Sequence, residues 1–230
     1  MSDSSPEHGN CTANRRGFLL ILSSPSGAGK TTLARRLVES DLDLCLSVSV
    51  TTRPPREGEK DGVHYHFVSL DEFSDLRDKG ALLEWAEVFG KFYGTPREPV
   101  EGRLAKGRDM VFDVDWQGAR SLWRILPEDC VRVFILPPSR QELERRIRSR
   151  GTDADHVIQR RLAGADEEMS HWNEYDYIVV NCDLEESVAT LRGIVLAERA
   201  RRNRLKGMDE FVRGLRHNPA DTDPDQPPRS

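Results

Sequence analysis

The chain of 230 residues has no apolar run approaching the ~20 residues a membrane-crossing helix needs. No membrane span is expected. Its first residues include Asp3 and Glu7 and no hydrophobic segment, so a secretion signal is not expected and a cytoplasmic location is. Cysteine is scarce: Cys11, Cys45, Cys130 and Cys182 are scattered with no Cys-x-x-Cys pair, which argues against a disulfide framework or a zinc site. Three of them fall in or beside expected strands and read as buried, reduced thiols. Excess positive charge is also missing, and the formal net charge of −5 argues against a general nucleic-acid binder. The local cluster Arg199, Arg201, Arg202 and Arg204 reads as the solvated end of a helix. No internal repeat shows, and nothing in the composition specifies an oligomeric state.

What is present suffices for one substantial core, with 37% hydrophobic and 7% aromatic residues. Residues 1–16 lack periodic apolar positions, and 217–230 carry Pro219, Pro224, Pro227 and Pro228 among polar neighbours, so both ends read as disordered tails. A compact body is expected over 17–205, followed by a largely disordered extension, 206–230, whose first part could prolong the last helix. Strand-like runs at Phe18–Leu22, Leu44–Val50, Met110–Val114, Val131–Leu136 and Tyr177–Val180 alternate with helical patterns, which predicts a parallel α/β sheet covered by helices. Capping patterns at Ser69, Ser139 and Asp183, each followed three residues later by Glu, predict helices near 70–79, 140–149 and 184–204. Shorter alternating segments, Val63–Val68 and Leu82–Val88, predict a small mixed β insertion within about 47–100. A helical, arginine-rich stretch over about 139–171 is suited to act as a lid.

The most specific local signal lies after the first strand, in Ser24-Pro25-Ser26-Gly27-Ala28-Gly29-Lys30-Thr31-Thr32, which runs directly into the helix-forming Leu33-Ala34-Arg35. Strand, glycine-rich loop and helix in this order form an anion cradle. Small residues let successive N–H groups turn inward, Lys30 supplies a charge for the outer phosphates, and the Thr31 hydroxyl can join Mg²⁺. A nucleoside triphosphate is the expected ligand. Ser24 stands where the first glycine of the general pattern usually falls.

A second phosphate-binding candidate follows the second strand. In Ser49-Val50-Thr51-Thr52-Arg53-Pro54-Pro55-Arg56-Glu57-Gly58-Glu59, two arginines lie three residues apart on a proline-stiffened loop, and planar guanidinium forks suit phosphate. Downstream come Tyr65, Glu84, Tyr93-Gly94-Thr95 and Asp113-Val114-Asp115-Trp116-Gln117-Gly118. From about Gly17 to about Leu205 this ordered set resembles guanylate kinase. The resemblance implies a P-loop nucleoside monophosphate kinase fold and transfer of the γ-phosphoryl group of ATP to GMP, and to dGMP, with Mg²⁺. It implies that Arg53, Arg56, Tyr65 and Tyr93 hold the GMP phosphate, that Ser49, Glu84, Thr95 and Asp115 surround guanine, and that Asp113 falls near phosphates and metal. It also maps phosphate-contacting, catalytic arginines onto Arg146, Arg150 and Arg161, beside Lys30 and Arg53.

The base assignment has a physical basis of its own. Guanine presents N1–H and an exocyclic NH₂ side by side, and an ionised Glu84 accepts from both; adenine presents a lone pair at N1. Structural alternatives stand beside each role. Arg53 and Arg56 could form a salt-bridged turn with Glu57 or Glu59, Asp113 could cap the following helix or form a salt bridge at the strand end, Tyr65 and Tyr93 could pack, and Ser49 and Thr95 could satisfy backbone groups. Arg145 and Arg148 read as a solvated face, and His64 and His66 as surface residues. A scaffolding module of the same fold, without catalysis, and a kinase for another phosphorylated ribose compound are the competing functions. The intact loop and the guanine-edge set disfavour both.

Overall fold

A computed structural model of the chain describes residues 14–88, 90–149 and 155–216. The first strand, β1 (Leu19–Ser23), is buried throughout and lies at the middle of the main sheet. Its side chains alternate between two faces, as the pleat requires. Phe18, Leu20 and Leu22 enter one apolar cluster with Leu33, Leu37, Leu191 and Val195, whereas Leu19 and Ile21 enter another with Val100, Leu104, Phe112 and Leu122. A strand buried on both faces reads as an unbroken apolar run, which is how it appears in the sequence.

Helix α1 (Lys30–Glu39) follows, then β2 (Leu44–Leu46), β3 (Ser49–Thr51) and β4 (Tyr65–Phe67). Next come α2 (Leu70–Asp78), β5 (Leu82–Val88), β6 (Lys91–Pro96), α3 (Arg97–Ala105), β7 (Asp109–Asp113) and α4 (Trp116–Ile125). The chain continues through β8 (Cys130–Leu136), α5 (Arg140–Ser149), α6 (Asp155–Ser170), β9 (Tyr177–Val180), α7 (Leu184–Arg199) and α8 (Met208–Arg216). The main sheet is parallel with order β2-β7-β1-β8-β9, so the chain leaves β1 at a point where its two neighbours arrive much later in sequence. Open sheets place their ligands at such a position, beyond the carboxyl ends of the strands.

The mixed insertion is a four-stranded sheet of order β4-β3-β6-β5, parallel only between β3 and β4. The single strand expected over Leu44–Val50 is therefore two: β2 completes the main sheet, and after Ser47 and Val48 the chain crosses into the insertion as β3. Its apolar residues continue across the break because both strands bury one face. Helix α3 was not singled out in the sequence, and α4 is the helix expected after Asp113. Asp115 starts α4 by accepting from the Gly118 N–H at 2.8 Å.

Only part of the arginine cluster near the end of α7 is a solvated face: Arg201 and Arg202 are exposed, whereas Arg199 and Arg204 turn inward onto carboxylates. Arg199 reaches Asp41 and Asp109 (both 2.7 Å), and Arg204, only 3% exposed, reaches Glu198 at 3.1 Å. The helix expected to run to 204 ends at Arg199, and a 3₁₀ turn at Arg202–Arg204 turns Arg204 inward. The inner end of the expected N-terminal tail is likewise anchored: Arg15 pairs with the fully buried Asp109 at 2.6 Å, and Arg16 with Asp129 at 2.6 Å. Burying Asp109 without partners would be costly, and two arginines from opposite chain ends neutralise it. Past Leu205, residues 208–216 are helical, while 1–13 and 217–230 lie outside the described residues. Of the cysteines, Cys130 is buried, its thiol pushed up to about 12 by desolvation; Cys182, expected buried, is exposed, and Cys11 lies outside the described residues. No described helix is long and apolar enough to cross a membrane.

Candidate active site

The loop from Ser24 to Gly29 joins the carboxyl end of β1 to the first turn of α1. Gly27 and Gly29 both have φ of +97°, a conformation that side chains other than glycine's rarely adopt. Space is short as well: a Cβ on Gly29 would lie 2.6 Å from the Asn181 amide nitrogen. That nitrogen donates to the Ala28 carbonyl at 2.8 Å, and Arg146 Nη1 donates to the same oxygen at 3.3 Å. The outward carbonyl of the loop is thus held from behind, which fixes the neighbouring N–H groups on the other side. Ser24 is buried, and its hydroxyl donates to the Pro25 carbonyl at 3.0 Å.

Lys30 opens α1 and reaches both the Val114 carbonyl (2.8 Å) and Asp113 (2.7 Å). Thr31 donates its hydroxyl to the other Asp113 oxygen at 2.7 Å. Asp113 therefore binds the loop's cation and hydroxyl rather than capping α4, the role that falls to Asp115. Around this centre lie two clefts. One, of about 280 Å³, runs along Ser24–Gly27, Gly29 and Lys30; the other, of about 300 Å³, is lined by Ser49, Glu59 and Tyr65 from the insertion. Thr31 and Asp113 line both. A larger recess beside α8, about 1130 Å³, shares no residue with the loop.

In the insertion, register aligns the expected residues. Ser49 is opposite Tyr65, Thr51 opposite Tyr93 and Glu84 opposite Thr95. Thr95, buried, donates to Glu84 at 2.6 Å. Burial raises the Glu84 carboxyl above the usual range and the Asp115 charge adds to this, against the Thr95 hydrogen bond. Arg53 pairs with Glu59 at 2.9 Å and lies over the Tyr65 ring at 5.4 Å, and Tyr65 meets Tyr93 edge-on at 6.0 Å. Arg56 stays exposed, and only its backbone N–H reaches Glu59, at 2.7 Å. The salt-bridged turn thus exists for Arg53 alone.

Helices α5 and α6 share a small apolar cluster of Leu143, Ile147, Ile158, Leu162 and Ala165. Arg146, on α5, is oriented by Glu142 at 2.7 Å, and the neighbouring Arg145 and Arg146 hold that carboxyl down at about 2. Arg161 is exposed on α6, and Thr32 is exposed on α1. Arg150 lies outside the described residues. Asn181 and Glu168, which both touch the loop, had no local signal: they are remote in sequence, and no motif surrounds them.

A parallel sheet whose first strand feeds a glycine loop into a helix, with a mixed β insertion and a helical pair over that loop, defines a P-loop nucleoside monophosphate kinase fold. The guanylate kinase family model matches residues 16–198. The guanylate kinase of Sphingopyxis alaskensis is 55% identical over 210 residues, 91% of this chain and 96% of that protein; that of Rhizobium etli is 57% identical over 201 residues, covering 87% and 91%. The crystal structure of guanylate kinase from Anaplasma phagocytophilum is 40% identical with a TM-score of 0.71, covering 87% of this chain and 95% of that one. The chain belongs to the guanylate kinase family.

Proposed function

We propose that the chain transfers the γ-phosphoryl group of ATP to GMP, and to dGMP, giving ADP and GDP, as a cytoplasmic enzyme of small-molecule nucleotides. The observation that carries this reading is the common wall: the loop cleft and the insertion cleft both end on Thr31 and Asp113. Two nucleotides entering from opposite sides would meet there. In this reading Ser24–Thr32 bind ATP. Arg53, Arg56, Tyr65 and Tyr93 hold the GMP phosphate; Ser49, Glu84, Thr95 and Asp115 surround guanine.

Phosphoryl transfer asks the protein mainly for positioning and charge neutralisation. Lys30, preorganised by Asp113 and the Val114 carbonyl, balances charge on the transferring group. Arg146, Arg150 and Arg161 add positive charge when the pair α5 and α6 closes as a lid, and closure excludes water that would otherwise consume ATP. A hydroxyl and a carboxylate, Thr31 and Asp113, are hard oxygen donors 2.7 Å apart, and they suit a cation that takes few protein ligands and completes its shell with phosphate and water. When bound there, Mg²⁺ would neutralise charge on the phosphate oxygens. Among the described residues no cluster of three His, Cys, Asp or Glu side chains is placed to hold a metal by itself.

The test is a coupled ADP-release assay with GMP, dGMP, AMP and ribose phosphates as acceptors. ADP release that depends on GMP or dGMP supports the reading. Turnover with another acceptor, or with none, overturns it.

A further inference from the structure

The phosphate loop is already engaged by an anion from its own chain. Glu168 lies on α6, and its carboxylate accepts from the Ser26 N–H at 2.8 Å. It lines the same cleft as Lys30, whose charge draws its pKa down while burial, the larger influence, raises it. An N–H group that holds a carboxylate cannot at the same time hold a phosphate oxygen, and two anions over one loop repel.

The contact also fixes a helix. Past Glu168, His171 stacks on Trp116 at a centroid distance of 3.8 Å, and Trp116 is the first residue of α4, directly after Asp115. Towards its other end α6 packs on Leu143 and Ile147 of α5, the two side chains that a Cβ on Gly27 would strike at 3.1 and 3.0 Å. Arg161 precedes Glu168 by seven residues, two helical turns, so both lie on one side of α6. A move of Glu168 away from Ser26 therefore moves the side of the helix that carries Arg161.

We propose that Glu168 is a positioning residue that seats α6 on the phosphate loop as a resident anion, and that the phosphate chain of the nucleotide displaces it. The inference rests on the reading of this loop as the ATP site. Binding then carries a conformational cost, since apparent affinity is reduced by the fraction of molecules whose loop is open.

The experiment is calorimetric titration of the full chain with ATP and magnesium, and separately with inorganic tripolyphosphate, for wild type, Glu168→Ala and Glu168→Gln. With the seat occupied about nine-tenths of the time, Glu168→Ala should bind both ligands about tenfold tighter. Glu168→Gln, which keeps the shape and can still accept from Ser26 without the charge, should gain about threefold. GMP affinity should stay within about twofold in both. The sign is diagnostic, because a residue that merely props up the fold weakens binding when removed. Unchanged or weaker binding of both ligands in Glu168→Gln, with its thermal midpoint preserved, overturns the inference even if Glu168→Ala fails to fold. Wild-type protein that binds neither ligand would instead sink the ATP reading itself, and this proposal with it.

Discussion

In the phosphate loop the groups offered to a ligand are backbone N–H groups, and side chains set that backbone: Asn181 and Arg146 hold the Ala28 carbonyl from behind, and Glu168 takes the Ser26 N–H on the ligand side. In the insertion the arrangement is inverted. There the backbone ladder of β3, β5 and β6 sets the register, and it presents side chains, Glu84 beside Thr95 and Arg53 beside Tyr65 and Tyr93. A cradle of N–H groups recognises any phosphate chain, because every residue type supplies the same donor. A carboxylate on a strand recognises one edge of one base. The difference teaches where each substrate's identity is read: charge and shape at the loop, hydrogen-bond pattern at the sheet.

The sharpest way to break this division is to remove the loop's single committed side-chain charge. Lys30→Ala should lower kcat by about 10²-fold or more, since a preorganised charge at the transition state is lost, while GMP affinity changes little. Single-turnover rates and GMP titration measure the two separately. A near-normal rate would mean that the loop's backbone alone suffices. Next in size is Glu84. Glu84→Ala should raise KM for GMP by roughly 10- to 100-fold, the worth of hydrogen bonds to a charged acceptor, and narrow the preference for GMP over AMP. If GMP still wins by the wild-type margin, the sheet does not read the base through this residue.

A pH profile sharpens the same contrast. Glu84 has a raised carboxyl pKa through burial, and it accepts from guanine only when ionised. As pH falls through that raised value the carboxyl gains a proton, so KM for GMP should climb at a higher pH than an ordinary glutamate would give, by roughly tenfold per unit below it. For the free protein the sign is opposite. A carboxyl whose folded pKa lies above its unfolded value contributes stability at low pH and loses it as pH rises through the folded pKa. Glu84→Gln should remove the acid limb from the KM profile, and an unchanged limb would assign it to another group.

How far the sequence carried differs between the two regions for the same reason. The loop is one contiguous segment between a buried strand and a helix, so its nine residues were legible together. The insertion site is assembled from Ser49, Tyr65, Glu84 and Thr95, which only strand pairing brings together; they were reached through resemblance. Contacts made across the fold left no trace in local pattern. Asn181 follows a buried strand much as many polar residues do, and Glu168 sits among other acidic residues on a polar helix. Arg199 was hard to place because its partners, Asp41 and Asp109, are remote in sequence, and Arg204 because the turn after α7, which brings it back onto nearby Glu198, breaks the helical pattern. The crossing between β2 and β3 was hidden because both pieces keep an apolar face.

The smallest effect belongs to Ser24, the residue that departs from the glycine pattern. Its side chain is accommodated within the turn, buried, with the hydroxyl on the Pro25 carbonyl, and the two left-handed positions that shape the loop are Gly27 and Gly29. Ser24→Gly would leave the downstream N–H groups and Lys30 in place. It should change kcat and KM for ATP by less than about twofold, while costing about 0.5–1 kcal/mol of stability through the added freedom of the unfolded chain. Parallel kinetics and denaturant melts separate these outcomes. A gain in ATP affinity beyond that range would show that the serine constrains the cradle, and would make the loop, like the insertion, a site where a side chain tunes recognition.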